Sequence, residues 1–120
     1  MKRNTDNIII VKSTEFAANI VKTCSVLRTE KKECILSKQL LRSGTSIGAN
    51  IREAVRGQSS ADFYAKLSIS LKEASETEYW LELLNASGYL DDDCYNILSK
   101  DCNSLLRLLT AIIKHRNDNK

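Results

Sequence analysis

The sequence predicts an all-α protein: a single domain over residues 1–120 that folds as an antiparallel, up-down-up-down four-helix bundle. Proline is absent and glycine occurs four times in 120 residues, so few positions favour the interruption of a helix. Apolar residues recur every three or four positions in four segments, which places them on one face of an α-helix. Short connections join these segments, and short connections are typical of antiparallel neighbours in a bundle.

The first predicted helix covers residues 8–28 and the second covers residues 34–56. The apolar side of the first comprises Ile9, Ile10, Phe16, Ala17, Ile20, Val21, Cys24 and Leu27. The apolar side of the second comprises Leu36, Leu40, Ser43, Gly44, Ile47, Ile51, Ala54 and Val55. Glycine inside a helix costs about 1 kcal/mol relative to alanine. Gly44 and Gly48, with Ser43, therefore indicate close approach of another helix backbone; a functional hinge is the alternative.

The third predicted helix covers residues 61–87 and the fourth covers residues 92–116. Ser59 precedes Asp62 by three residues, which resembles a capping box, and Gly88 follows the third helix as a stop signal. The predicted core stripe of the third helix is Phe63, Leu67, Leu71, Ala74 and Leu81. The predicted core stripe of the fourth is Cys94, Leu98, Cys102, Leu105, Leu109 and Ile112. Aspartates at positions 91–93 favour the start of the fourth helix.

The apolar runs are too short for a membrane protein. The longest covers residues 8–11, whereas a helix that crosses a bilayer needs roughly 20 apolar residues. The N-terminal residues lack the apolar stretch of a signal peptide. We therefore expect a cytoplasmic protein that does not enter a membrane.

The sequence shows no pattern of a metal site or of an enzyme. Four cysteines without a CxxC pair and one histidine do not match zinc-ligand spacing, so we predict no metal ion and no cofactor. In a reducing compartment the cysteines are expected to be small core residues. No Ser-His-Asp set, Cys-His set or phosphate-binding glycine loop is evident. We predict a protein that is not an enzyme.

Basic residues form a stripe along the second helix. Lys38, Arg42, Arg52 and Arg56 fall within about 80° of one another on the helical wheel, opposite the apolar side. Residues 28–56 hold seven basic and three acidic residues, whereas residues 62–93 hold two basic and eight acidic ones. The stripe has three interpretations: it binds phosphates of RNA, it docks on an acidic helix of another subunit, or it is simply solvated.

A polar seam borders the apolar side of the same helix. It consists of Gln39, Ser46, Asn50 and Glu53, with Arg42 between them, at three- and four-residue steps. One interpretation is a hydrogen-bond network between helices that fixes their register. The other makes the seam part of a ligand or RNA site.

The third helix carries apolar residues away from its core stripe. Ile69, Trp80 and Leu83 would be exposed in an isolated bundle, and a large exposed apolar patch is typical of a partner surface. We therefore predict an oligomer interface with Trp80 as its anchor. The alternative is that the bundle shifts and buries Trp80 internally.

The stretch from Gln39 to Ala54, QLLRSGTSIGANIREA, resembles the signature of the bacterial four-helix-bundle family that includes the 23S rRNA intervening-sequence proteins. Further matches are Ser59, Asp62-Phe63, Leu67, Ile69, Lys72-Glu73-Ala74, Glu76-Thr77, Tyr79-Trp80-Leu81 and Gly88-Tyr89-Leu90. The resemblance implies a left-handed antiparallel bundle that assembles into a ring, a homopentamer in the characterised relatives. Some members are encoded within insertions of large-subunit ribosomal RNA genes.

The same resemblance extends to Avd, the accessory protein of diversity-generating retroelements, which forms a basic pentameric barrel and works with nucleic acid and a reverse transcriptase. The family has no established catalytic residues. We therefore predict a non-enzymatic homo-oligomer that binds RNA or another nucleic acid through the basic stripe. The alternative is an interaction scaffold whose ring recruits an unknown protein partner and binds no nucleic acid.

Overall fold

Four α-helices make up the structure, a computed structural model that describes residues 4–118 and the side chains of residues 6–115. The helices are α1 (Asn4–Thr29), α2 (Leu36–Val55), α3 (Ser60–Ala86) and α4 (Asp92–Asp118). No strand occurs in this range, so the predicted all-α fold with four helices is confirmed. The first three and last two residues of the predicted domain lie outside the described range. None of the four helices, over the residues described, is long and apolar enough to cross a membrane.

The start of α2 is fixed by a carboxylate that the helical wheel does not reveal. The backbone N–H groups of Ile35, Leu36 and Ser37 donate to the Glu33 carboxylate at 3.3, 3.1 and 2.7 Å. The first N–H groups of a helix have no partner within it, so an acceptor at this point stabilises the helix end. Periodicity predicts that the helix begins at position 34. The helix instead begins at Leu36, where Glu33 supplies this acceptor. Glu33 itself is buried.

Neighbouring helices run antiparallel around a square. Where α1 packs against α2, Ser13 faces Gly48, whereas the Cys24 thiol donates a hydrogen bond to the Ser37 carbonyl oxygen. Hydrogen bonds between α2 and α3 and between α3 and α4 follow the same reversed order. Each of α1 and α3 packs against both α2 and α4, so α1 lies diagonally opposite α3. The connection of α1 to α2 and that of α3 to α4 therefore share one end of a bundle about 47 Å long.

A continuous apolar core runs between the four helices. Its largest fully buried side chains are Phe16, Ile9, Ile20, Leu27, Leu40, Ile47, Ile51, Leu67, Leu81, Leu84, Leu105 and Leu109. All four helices contribute, since each has an apolar side at helical spacing. Two predicted core positions of α3, Phe63 and Leu71, are only half-buried. The buried stripe of α3 includes Ser70 and Thr77, which a search for apolar residues passes over.

Hydroxyl groups cross the core between α2 and α3. Ser70 Oγ donates to the Ile47 carbonyl oxygen at 2.8 Å, and the hydroxyls of Ser43 and Thr77 lie 2.9 Å apart. All three hydroxyl side chains are buried. A buried polar group left without a partner would cost about 1–3 kcal/mol, so these bonds favour one register of α2 against α3.

The cysteines divide into two environments. Cys24 and Cys102 are buried and their thiols donate to backbone carbonyls of neighbouring helices. Burial raises the pKa of Cys24 to about 11 and the pKa of Cys102 to about 12, so both thiols stay protonated and unreactive near neutral pH. Cys34 is exposed and Cys94 is half-buried. The expectation that all four are core residues is wrong for Cys34, because it lies in the connection before α2.

The glycines of α2 face α1 at close range. A Cβ atom added at Gly44 would lie 2.9 Å from Cγ2 of the buried Ile20, and one at Gly48 would lie 3.3 Å from Ser13 Oγ. A close approach of α1 is therefore confirmed at both glycines, but a backbone atom of α1 comes near only at Gly48, where the Ser13 carbonyl oxygen would lie 3.5 Å from the added Cβ.

We expect Gly44→Val to lower the free energy of unfolding by about 1–3 kcal/mol, because the added side chain must displace Ile20. Urea unfolding followed by circular dichroism measures the change. Ala49→Val is the matched control: Ala49 is exposed on the same helix, so this change tests helix propensity alone, about 0.5 kcal/mol. Valine has a higher helix propensity than glycine, so a Gly44→Val variant at least as stable as the unaltered protein would show that α1 tolerates side chains at position 44.

Removal of the Glu33 carboxylate should also destabilise the bundle. In Glu33→Ala three backbone N–H groups lose their acceptor, and we expect a loss of about 1–2 kcal/mol in the same assay. Glu30→Ala removes an exposed carboxylate from the same connection, and its effect should stay within about 0.5 kcal/mol. A loss at Glu30 as large as that at Glu33 would contradict the capping role.

Candidate nucleic-acid interface

The predicted basic stripe lies on the outward face of α2. Lys38, Arg42, Arg52 and Arg56 are all exposed. The outward positions between them hold Thr45 and Ala49, so no carboxylate interrupts the stripe on its own helix. From Lys38 to Arg56 the stripe extends for about 27 Å, at 1.5 Å per residue.

Arg42 differs from the other three because two carboxylates of α3 surround it. Its Nη1 lies 3.2 Å from Glu73 Oε2, and its Nη2 forms an ion pair with Glu76. Its Nε donates to Gln39 at 3.4 Å. Glu76 also accepts a hydrogen bond of 3.2 Å from the indole N–H of Trp80. The charge of Arg42 is therefore compensated within the chain, by the acidic helix that the sequence analysis considered as a docking surface of another subunit.

The remaining three cations have no carboxylate partner among the ion pairs of the described residues. Arg52 donates to the hydroxyl of Thr14 on α1 at 3.2 Å, which positions the guanidinium without neutralising it. Glu53 follows Arg52 directly in the sequence, but it pairs with Lys66 of α3 at 3.1 Å. Lys38, Arg52 and Arg56 therefore present uncompensated positive charge.

The corner where α2 meets α3 gathers the densest part of this charge. Arg52, Arg56 and Lys66 line an open cleft of about 400 Å³ there, together with Glu53 and Asp62. Because Glu53 is engaged with Lys66, the two arginines stand against one remaining carboxylate, that of Asp62, and the lining keeps a net positive charge. A phosphate group could approach both guanidinium groups from solvent.

The polar seam forms the predicted contacts between helices only in part. Ser46 Oγ donates to the carbonyl oxygen of Arg42 at 2.6 Å, and Asn50 Nδ2 donates to that of Ser46 at 2.9 Å. Both bonds stay within α2, because a short polar side chain in a helix reaches the carbonyl one turn earlier. Gln39 contacts Arg42 of the same helix. Of the seam residues, Glu53 and Arg42 reach another helix.

The predicted oligomer interface on α3 is only partly exposed. Ile69 is exposed, whereas Trp80 and Leu83 are half-buried. Trp80 packs against the core, and its indole N–H donates to Glu76. This favours the alternative, in which the indole packs within the bundle. The aromatic side chain presented to solvent is its neighbour Tyr79, 54% exposed, which the sequence analysis missed. Its spacing from Leu83, one helical turn, is the signal that would have identified it.

A second exposed apolar surface lies on α1. Val11 and Val21 are 53% and 49% exposed, and Ile8, one turn before Val11, is exposed too. Helical periodicity predicts Val21 on the buried side, which is wrong. The apolar run at residues 8–11 and the later valines surround the helix, so a wheel cannot decide which of them faces inward.

Comparisons with known proteins match most of the chain. A family model described as 23S rRNA-intervening sequence protein matches residues 5–111. A crystal structure at 1.70 Å of a protein of unknown function from the S23 ribosomal protein family of Bacteroides thetaiotaomicron superposes with a TM-score of 0.90. The two chains are 54% identical, over 92% of this chain and 98% of that one. No curated protein matches the sequence. The resemblance predicted from α2 and α3 is confirmed at the level of the family.

Proposed function

The chain belongs to the 23S rRNA-intervening sequence protein family, and we propose that it is a non-catalytic, self-associating bundle that binds the phosphate backbone of RNA. The observation that carries this proposal is the exposed row of cations on α2. Lys38, Arg52 and Arg56 supply the charge, and Arg42 contributes less because Glu73 and Glu76 compensate it.

Both the spacing and the composition of the row suit binding to the phosphate backbone of a nucleic acid more than binding to its bases. A rigid helix presents its cations along about 27 Å, and phosphates are the groups that neutralise such a row by counterion release. No aromatic residue occupies an outward position between Lys38 and Arg56, so stacking with bases is not part of the proposal. The binding should therefore depend on salt and little on sequence.

RNA is the nucleic acid we propose because the matching family and the similar structure are named after ribosomal RNA and ribosomal protein. The similar structure is itself of unknown function. A relation to Avd, which acts with nucleic acid, is part of the same proposal and rests on the signature of α2.

Self-association is proposed on the exposed apolar residues of two helices. Val11 and Val21 lie on α1, and Ile69 and Tyr79 lie on α3. The two helices occupy diagonally opposite corners of the bundle, so one copy can use its α1 surface to contact the α3 surface of the next. A contact between two different surfaces generates a ring when its rotation closes. We propose a closed ring, with five copies as in the relatives that the sequence resembles.

The binding proposal is tested by the salt dependence of RNA affinity. We expect Lys38→Glu/Arg52→Glu/Arg56→Glu to weaken binding of a single-stranded RNA and to reduce the slope of log affinity against log salt. Each lost phosphate contact removes about 0.7 from that slope. Filter binding between about 50 and 200 mM salt measures both quantities.

Two controls make the result specific. The triple variant Lys72→Glu/Lys100→Glu/Lys114→Glu changes the net charge of the chain by the same amount, but at positions on α3 and α4. It should retain most of the slope. Arg42→Gln should reduce the slope less than Arg56→Gln, because Arg42 is already paired. Equal losses in both triple variants would show general charge attraction and would sink α2 as the site. A stable protein partner captured without any RNA binding would support the scaffold alternative.

The assembly proposal is tested by mass in solution. Native mass spectrometry should find a multiple of the 13.5 kDa chain, five copies for the proposed ring. Val11→Glu/Val21→Glu and Ile69→Glu/Tyr79→Glu should each be monomeric. An equimolar mixture of the two should give heterodimers, because one intact pair of surfaces is restored.

Ile97→Glu is the matched control for assembly, since Ile97 is an exposed aliphatic residue of α4. We expect this variant to keep the full assembly. An unaltered protein that is strictly monomeric would reject the proposal, and so would a mixture of the two variants that stays monomeric.

A further inference from the structure

A cleft at one end of the bundle has no role in the proposed RNA binding or assembly. It lies between the second half of α1 and the turn from α3 to α4, and its volume is about 310 Å³. Sites for small molecules in proteins commonly have volumes of roughly 300–1,000 Å³. The cleft lies along α1 and α4, so it is separate from the stripe on α2.

The floor and walls of the cleft are largely apolar. Leu27 and Leu90 are buried beneath it. Val26 and Tyr89 form its sides and are 44% and 38% exposed. These partly exposed side chains leave apolar surface of the cleft in contact with water. A flat apolar group placed between them would remove that surface from solvent, which is favourable by about 25 cal/mol per Å².

Charged groups at the rim favour an anion. Lys22 and Lys31 stand on the α1 side of the opening. Asp91 stands on the opposite side, but its carboxylate already accepts the backbone N–H of Cys94 at 2.8 Å, as the cap of α4. Among the residues that line the cleft, two lysines stand against one carboxylate that is in part engaged, so the lining itself carries a net positive charge.

We propose that this cleft binds a small organic anion with a flat aromatic body. The ring lies between Val26 and Tyr89, and the anionic group pairs with Lys22 and Lys31. Tyr89 provides a π-face for offset stacking, which contributes beyond the buried area.

The neighbouring charges restrict the ligand to a small molecule. Asp92 and Asp93 are exposed next to the rim, and they would repel a polyanion that extends beyond the opening. A single anionic group held at the lysines avoids them. The occupant is therefore a small molecule with one such group rather than a strand of RNA.

The test uses two probes with the same ring and opposite charge, 2-naphthoate and 2-naphthylmethylammonium. The readout is the rate at which N-ethylmaleimide alkylates Cys94, a residue of the cleft wall, measured by mass spectrometry. Cys34 is exposed outside the cleft and serves as an internal control in the same sample. We expect naphthoate to slow alkylation of Cys94 severalfold, with no change at Cys34 and a much weaker effect of the ammonium probe.

Variants connect the protection to the named residues. Lys22→Glu/Lys31→Glu should abolish protection by naphthoate, whereas Lys12→Glu/Lys100→Glu, with the same change of charge, should retain it. Tyr89→Ala should weaken protection and Tyr89→Phe should preserve it, which distinguishes loss of the ring from a disturbed turn. The proposal is overturned if the ammonium probe protects Cys94 equally, if Cys34 slows in parallel, or if the reversal of both lysines has no effect.

Discussion

Gly44 and Gly48 allow α1 to approach α2 so closely that a side chain at either position would press against Ile20 or Ser13. This contact fixes the rotation of α2 about its own axis. Ser43 precedes Gly44 by one residue and is thus turned by about 100°, towards α3, where the hydroxyl of Thr77 meets it. With two sides of α2 committed to neighbours, the positions opposite them must face solvent. The outward direction of the basic stripe is therefore a consequence of the glycine contact.

The charge that α2 presents is then set by α3. Exposed ion pairs such as those of Arg42 contribute at most about 1 kcal/mol to stability, so they are not what holds the two helices together. Their larger effect is on the surface potential, because Glu73 and Glu76 compensate one of the four cations. Glu53 does not compensate a cation of the stripe, because it forms an ion pair with Lys66 of α3. Arg52 therefore stays uncompensated. The acidic composition of α3 thus divides the stripe instead of cancelling it.

Helical periodicity predicted the parts of this protein that depend on a single helix. The four helices and the outward position of Lys38, Arg52 and Arg56 follow from residue spacing alone. Of the features that depend on a second helix, the close approach of α1 at Gly44 and Gly48 was predicted, but others were not. The partners of Arg42 and the inward packing of Trp80 depend on the rotation of α3 against α2, which a wheel leaves free. The seam reaches α3 only through Arg42 and Glu53 for a different reason: Ser46 and Asn50 bond to carbonyl oxygens of their own helix, and spacing alone cannot show which acceptor a side chain selects.

Val21 and Glu33 show the same limit at smaller scale. A valine is equally compatible with the inner and outer side of α1, because that helix carries apolar residues all around its first turns. The carboxylate of Glu33 lies three residues before the helix that it caps, and its acidic side chain among Lys31, Lys32 and Cys34 gives no sign of burial. Both outcomes are decided by tertiary packing, which fixes how far each helix extends and which side it turns inward.

The position of the stripe has a further consequence for a ring joined through α1 of one copy and α3 of the next. Those two helices occupy one diagonal of the bundle, so α2 and α4 occupy the other. In a ring whose axis is parallel to the bundle axes, one of them faces the centre and the other faces outward. Rotational symmetry repeats this choice in every copy, so all the stripes lie on the same side of the assembly. Cations that bind weakly in one chain then act together on a single polyanion, because each bound phosphate raises the effective concentration of the next. The modest net charge of +3 per chain is compatible with RNA binding once the ring, rather than the chain, is the unit that binds.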